Sequence, residues 1–194
     1  MKETFEWVQS WCDHTEKTDL PRVLLVGDSI TRAYQEKARK LLDGKFYVDY
    51  IATSYSVDQK FYVELIKNFA ADSDYSVIHF NHGLHGLHMT DKVYGEGVEK
   101  LLAEIGKNRK VILANSTLVK EENNERIDYR TTGIVLRRNR VIEIIAQRNG
   151  YKLNDLYSVS ANIPNEYRSP DGTHYEDKGS ERLAETVAKS VLSV

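Results

Sequence analysis

Three short stretches carry residue types that can do chemistry together. The first, Gly27-Asp28-Ser29-Ile30-Thr31, directly follows the apolar run Val23-Leu24-Leu25-Val26. A serine in a turn from strand to helix sits at the helix N-terminus, where unpaired backbone N–H groups can stabilise a developing oxyanion. Gly27 allows the tight turn. The plainer reading makes Asp28 or Ser29 only an N-cap. The second stretch is Asp171-Gly172-Thr173-His174, ahead of the last helical pattern. A serine hydroxyl is a poor nucleophile at neutral pH and needs a base in hydrogen-bond reach. An imidazole, with a reference pKa near ~6.5, suits that role. A carboxylate on its other nitrogen fixes the tautomer, and the spacing of Asp171 and His174 lets one turn deliver both. The plainer alternative is a loop aspartate beside an unrelated histidine.

The third stretch is Asn81-His82-Gly83-Leu84-His85-Gly86-Leu87-His88. Asn81 offers an amide N–H₂ that an oxyanion can use. Histidines 79, 82, 85 and 88 invite a metal reading. Their spacing fits neither the HExxH helix nor a Cys/His zinc pattern, and no acidic or thiolate ligand stands beside them. No metal is therefore expected, and Asp28, His82 and His85 are read as substrate-lining candidates.

These residues need elements to hold them, and the chain alternates strand and helix patterns. Val23–Val26, Phe46–Ile51, Val77–Phe80, Val111–Ala114 and the weaker Tyr151–Leu153 are short apolar runs. Runs of this kind suit strands buried on both faces of a parallel sheet. Helical patterns lie between them. Residues 30–42 carry Ala33, Ala38, Leu41 and Leu42; residues 59–70 carry Phe61, Leu65, Ile66 and Phe69. Residues 91–106 carry Val98, Leu101, Leu102 and Ile105; residues 125–148 carry Ile134, Val141, Ile144 and Ile145; residues 177–192 carry Leu183, Val187 and Val191. The alternation predicts a three-layer α/β/α sandwich. Right-handed crossovers bring the strand C-termini to one edge, where ligands bind in such folds. All three stretches stand after a strand or before a helix, as that edge requires.

Composition narrows the function classes. The 194 residues suit one domain over 1–194, and 41% hydrophobic residues supply a sizeable core. A net charge of −2 gives no broad field for nucleic acid or an anionic membrane. The cluster Arg137, Arg138 and Arg140 reads as a solvated helix face, with an anion contact as the alternative. The single cysteine, Cys12, excludes an intrachain disulfide and is expected in a core. It lies in an aromatic-rich amphipathic start with Phe5, Trp7, Val8 and Trp11, expected to cover the sandwich, with pairing to another subunit as the alternative. No secretory signal or bilayer-spanning run is apparent, so the chain is expected to be cytoplasmic.

Taken in order, Gly27-Asp28-Ser29 near the N-terminus and Asp171-x-x-His174 near the C-terminus resemble the GDSL/SGNH hydrolases. The resemblance spans nearly the whole chain. It implies a flavodoxin-like sandwich of about five parallel strands in order 2-1-3-4-5. It also implies Ser29 as nucleophile, with His174 and Asp171 completing a triad, and no cofactor. Two family blocks are altered. Where a glycine normally follows the second strand, this chain has Ala52-Thr53-Ser54-Tyr55-Ser56, with Ser54 as the equivalent whose backbone N–H serves the oxyanion hole. The third block, normally Gly-x-Asn-Asp, reads Asn81-His82-Gly83-Leu84-His85. Asn81 is the favoured donor beside Ser29 and Ser54; an alternative alignment sets Gly83 at the glycine and His85 at the asparagine. The expected activity is hydrolysis of small acyl esters. A mean hydropathy of −0.52 and the absence of a long apolar lid disfavour an interfacial lipase. Tyr55, His82, His85, His88 and Tyr175, with Tyr167 and Arg168, suit a small acyl group on a polar alcohol such as an acetylated sugar. The alternatives are a thioesterase or acyltransferase with the same triad, and a ligand-binding domain without turnover.

Overall fold

The computed structural model describes residues 2–194. Strands β1 (Val8–Trp11), β2 (Arg22–Gly27), β3 (Tyr47–Thr53), β4 (Tyr75–Asn81), β5 (Lys110–Ala114) and β6 (Lys152–Asn154) form one sheet in the order β1-β3-β2-β4-β5-β6. Helices α1 (Ser29–Leu42), α2 (Lys60–Ala71), α3 (Asp91–Ile105), α4 (Tyr129–Asn149), α5 (Leu156–Ala161) and α6 (Asp177–Val191) flank it. Strands β2 to β6 pair in parallel. Counted among themselves, they follow the order 2-1-3-4-5 implied by the resemblance.

The sixth strand departs from the expectation. The segment read as an aromatic covering start supplies β1, which pairs antiparallel with β3, Val8 opposite Thr53 and Trp11 opposite Tyr50. It extends the sheet by one edge. All four of its residues are exposed, so it has no apolar alternation to mark it as a strand. Arg39 stacks on Trp11 and Arg32 on Trp7, at 5.2 and 5.0 Å from the ring centres. Cys12, just past the strand, is only half-buried, because an edge strand has no second layer above it.

Every residue of β2 is buried, and its side chains alternate between two cores as a pleated strand requires. Leu24 and Val26 pack with Tyr62 and Ile66 of α2, Tyr94, Val98 and Leu102 of α3, and Ile142 and Ile145 of α4. Val23 and Leu25 face Tyr34, Ala38 and Leu42 of α1 and Leu183, Val187 and Val191 of α6. Each such aliphatic side chain contributes roughly 1.5–3 kcal/mol on burial.

Three helices bury a different stripe from the one their aliphatic residues suggest. In α1 the buried residues include Tyr34, while Leu41 is exposed. In α2 Tyr62 is buried and Phe61 exposed. In α4 the stripe runs through Val135, Arg138, Asn139, Ile142 and Ile145, leaving Ile144 exposed. Arg138 is thus no solvated residue: it is fully buried. No helix among the described residues is long and apolar enough to cross a membrane.

The last loop is tied down before it reaches α6. Gly172 donates its N–H to the Ser169 carbonyl, and the Gly172 carbonyl accepts from Lys120 N. Gly172 has φ of 74°, and a Cβ built there would lie 2.1 Å from the Lys120 carbonyl oxygen. Both features require glycine. The Arg168 guanidinium is buried, donates to the carbonyls of Ser160 and Leu118, and stacks 4.8 Å from the centre of the Tyr175 ring. Arg168 and the largely buried Tyr175 therefore brace the loop instead of lining an open edge.

Gly172→Ala should lower stability by about 2–4 kcal/mol, since it adds left-handed strain to a backbone clash; a lower urea midpoint at unchanged slope is the expected reading. The buried imidazoles give an acid limit. Burial holds His79 down to about 4 and His82 down to about 3. Both are neutral in the fold and take up a proton on unfolding below ~6.5. Their contribution is present above that pH and is lost as pH falls toward the folded values, at about 1.4 kcal/mol per pH unit for each ring. His82→Leu should remove one ring's share of the slope of stability between pH 6 and 4.5, read from urea titrations.

Candidate active site

The site lies at the C-terminal edge of the parallel strands. The chain leaves β2 at Gly27 and enters α1 at Ser29. Asp28 caps the helix: its Oδ1 accepts from Ile30 N at 2.9 Å. The capping reading of Asp28 therefore holds, and it coexists with a reactive position for the next residue. Ser29 N–H, at the first helical position, has no acceptor within the helix. The helix start adds partial positive charge there.

The loop ahead of α6 meets this turn from the other end of the chain. His174 Nε2 lies 2.7 Å from Ser29 Oγ, and His174 Nδ1 lies 2.6 Å from Asp171 Oδ2. Asp171 Oδ1 also accepts from the backbone N–H groups of Thr173 and His174, both at 2.9 Å. Burial works to raise the Asp171 carboxyl, but the His174 and Thr173 N–H groups and the His174 ring outweigh it and hold it below the usual carboxylate range. A carboxylate only accepts. Nδ1 of His174 therefore carries a proton, and Nε2 of the neutral ring is free to accept from the Ser29 hydroxyl. The arrangement can deprotonate that hydroxyl and return the proton to a leaving group.

The two other expected oxyanion donors are committed elsewhere. Ser54 N–H donates to the Trp7 carbonyl at 3.3 Å, because β1 has claimed the end of β3. Ser54 Oγ donates to Glu6 and accepts from Trp7 N. Asn81 spends its amide N–H₂ on the carbonyls of Ala114 and Asn115, at 3.1 and 3.0 Å, and so clasps β4 to the end of β5.

Histidines 79, 82, 85 and 88 have four separate settings. His79 Nε2 meets Asn154 Nδ2 inside the core. His82 is buried among Tyr62, Phe80 and Tyr94 and cannot line an open site. His85 Nδ1 is 2.9 Å from Glu3, and His88 Nε2 is 2.8 Å from Asp58. Among the described residues no three His, Cys, Asp or Glu side chains converge as a metal site would need.

Burial raises the Asp28 carboxyl, and the charges of His85 and His174 and the Ile30 N–H pull it the other way. Of the two imidazoles, His174 touches the turn that carries Ser29, at 2.7 Å from its Oγ. Residues 83–86 are held from below by Arg138. Its Nη1 donates to the carbonyls of Gly83 and His85 at 2.9 and 2.7 Å, and Nη2 to that of Gly86 at 2.5 Å. Its guanidinium lies 4.7 Å from the Tyr94 ring centre, and Tyr94 OH donates to the His82 carbonyl. A groove of 560 Å³ lined by Ile163, Pro164 and Arg182 lies elsewhere and includes none of these residues. Glu3, Glu6, Arg138 and Asn139 carry no signal in the sequence as site residues. His85 was pointed to as a substrate-lining candidate and by the alternative alignment through Gly83.

No family model matches this chain. No curated protein matches it in sequence. Solved structures do match in three dimensions. A GDSL-like lipase from Bacteroides thetaiotaomicron is 14% identical, with a TM-score of 0.72 over 89% of this chain and 88% of its own. A lipase/acylhydrolase from Enterococcus faecalis is 16% identical, with a TM-score of 0.70 over 90% of this chain and 96% of its own. An acetylxylan esterase from Geobacillus stearothermophilus is 15% identical, with a TM-score of 0.72 over 88% of this chain and 94% of its own. Identities this low speak for the fold and leave the activity to the site. Across nearly the whole chain the solved neighbours are SGNH/GDSL-like hydrolases, and the chain has their α/β fold.

Proposed function

We propose that this protein is a serine ester hydrolase acting on small acyl esters, with Ser29 as nucleophile, His174 as base and Asp171 as its orienting carboxylate. The observation that carries the reading is the unbroken line from Asp171 Oδ2 through His174 to Ser29 Oγ, with links of 2.6 and 2.7 Å. It ends on a serine at a helix N-terminus, where a negative charge is favoured.

The reaction is an acyl transfer in two steps. Ser29 Oγ attacks the ester carbonyl as its proton passes to His174 Nε2. The carbonyl π pair moves onto oxygen, beside Ser29 N–H. As the tetrahedral species collapses, the bond to the alcohol oxygen breaks and that oxygen takes the proton from His174. A water then gives a proton to His174 and attacks the acyl-enzyme; collapse returns the proton to Ser29 Oγ and releases the acid. Asp171 keeps its charge throughout and steadies the imidazolium.

The chemistry suits a small acyl group, since the His174 and Asp171 side chains are partly exposed at an open site. An O-acetyl group on carbohydrate is the preferred substrate class, supported by an acetylxylan esterase among the solved neighbours. A second reading, a ligand-binding domain without turnover, draws on the committed donors of Ser54 and Asn81.

Hydrolysis of p-nitrophenyl acetate separates the two readings. Wild type should turn over; Ser29→Ala and His174→Ala should fall by about 10⁴–10⁶ in kcat, toward background. A serine-directed phosphonate should add one label, on Ser29. Equal rates for all three proteins and no label would leave the binding domain.

A further inference from the structure

We infer that β1 is a dimerisation edge, and that its occupant is the β1 of a second copy of this chain, paired antiparallel about a twofold axis at Gln9. The chemistry proposed for Ser29 plays no part in this pairing.

Among the described residues no strand lies beyond β1 on its side of the sheet. The residue just before it shows which of its backbone groups are free. The Trp7 carbonyl accepts from Ser54 N, and Trp7 N donates to Ser54 Oγ, so both groups of Trp7 point at β3. Along an antiparallel ladder this direction alternates residue by residue. Gln9 and Trp11 therefore turn their N–H and C=O groups toward Ala52 and Tyr50 of β3. Val8 and Ser10 turn theirs outward, two donors and two acceptors at the open edge.

Natural sheets blunt such an edge with a charge, a proline, a bulge or a very short strand. Val8-Gln9-Ser10-Trp11 carries no charge and no proline, and its register with β3 is continuous. Val8 is 42% and Trp11 53% exposed. The opposite edge differs: β6 has only three residues and begins with Lys152. One edge of the sheet is thus protected, and the other is open to a strand.

A second β1 completes this edge in one register. A twofold axis that joins two copies into one sheet stands perpendicular to it, so each side chain keeps its face and odd-numbered residues meet odd-numbered ones. With the axis at Gln9, Val8 stands across from Ser10 of the second copy, and Ser10 across from its Val8. These are the residues with outward groups, so every free donor and acceptor of both strands is bonded. Trp7, Gln9 and Trp11 share the α1 face, where Arg32 stacks on Trp7 and Arg39 on Trp11. Trp11 then meets Trp7 of the second copy, and Gln9 meets Gln9, whose amide both donates and accepts. An axis at Ser10 would instead set Trp11 against Gln9 and lose the aromatic pair. The axis reverses the strands, so the two Ser29 turns lie at opposite ends of the joined sheet and neither copy closes the other's site.

Sedimentation equilibrium over a range of concentrations is the test, with the mass expected to rise from 22.3 kDa toward twice that value. Ser10→Pro removes an outward N–H and none that β3 uses. It should keep the circular dichroism of wild type and shift dimerisation to about tenfold higher concentration or more. Gln9→Lys and Gln9→Glu should each weaken the dimer, because like charges then meet across the axis, and mixing the two should restore it. If Ser10→Pro alters the fold, this charge pair carries the test. Gln9→Cys sets two thiols at the axis, with Cα atoms ~4.5 Å apart in a pair of this type, and should form an interchain disulfide on mild oxidation. Cys12 is the control: it lies about 20 Å from its counterpart in this register and should not link in wild type. A mass of 22.3 kDa at every concentration would overturn the inference. So would a dimer that Ser10→Pro leaves as strong as before, or one in which Gln9→Cys fails to link, since its contact would then lie elsewhere.

Discussion

A strand buried on both faces and paired on both edges cannot move, and β2 is that strand. All six of its residues are buried. It pairs with β3 on one side and β4 on the other. Ser29 follows it by two residues, so the position of the hydroxyl is set by the packing of two cores. Few loops could hold it as well. The cost of displacing the turn is that of repacking Leu24, Val26, Leu25 and Tyr34 together, which close-packed interiors resist.

The loops that meet this turn are held by a different device. Arg138 and Arg168 are buried cations, and the side-chain hydrogen bonds they make end on carbonyl oxygens. A guanidinium has several donors in a fixed plane. It can therefore gather carbonyls that no strand pairs, and stacking on an aromatic ring covers its face. Asn81 and Asn139 do the same on a smaller scale: Asn139 exchanges two hydrogen bonds with the backbone of Ser116. The edge of the sheet is thus irregular in backbone, and these side chains tie its loops together.

The five parallel strands and the facing pair Ser29 and His174 were legible in the sequence for one reason. Burial on both faces leaves continuous apolar runs; Ser29 stands just past one and His174 just before the last helical pattern, and both such places fall at one edge. The misses have equally specific causes. Strand β1 is exposed along its length, so its pairing is decided by the free edge of β3 and leaves no pattern in Val8–Trp11. The buried stripes of α1, α2 and α4 run through tyrosines and an arginine, which a count of aliphatic residues passes over. Ser54 and Asn81 have the right chemical type for an oxyanion hole. Where their hydrogens go depends on Trp7 and Ala114, and no spacing within the blocks could reveal it. The pairing of His85 with Glu3 was not legible, because the two lie 82 positions apart.

The bond from His174 to Ser29 joins residues 145 positions apart. Closing so long a loop costs only slightly more entropy than closing a short one, but it fixes the order of events during synthesis. On the proposed reading, the candidate nucleophile and its helix leave the ribosome early, and the candidate base follows 145 residues later. Until then the serine is an ordinary alcohol at the end of a strand. Under that proposal a growing chain is chemically silent toward esters, and reactivity arrives only when His174 is docked against Ser29.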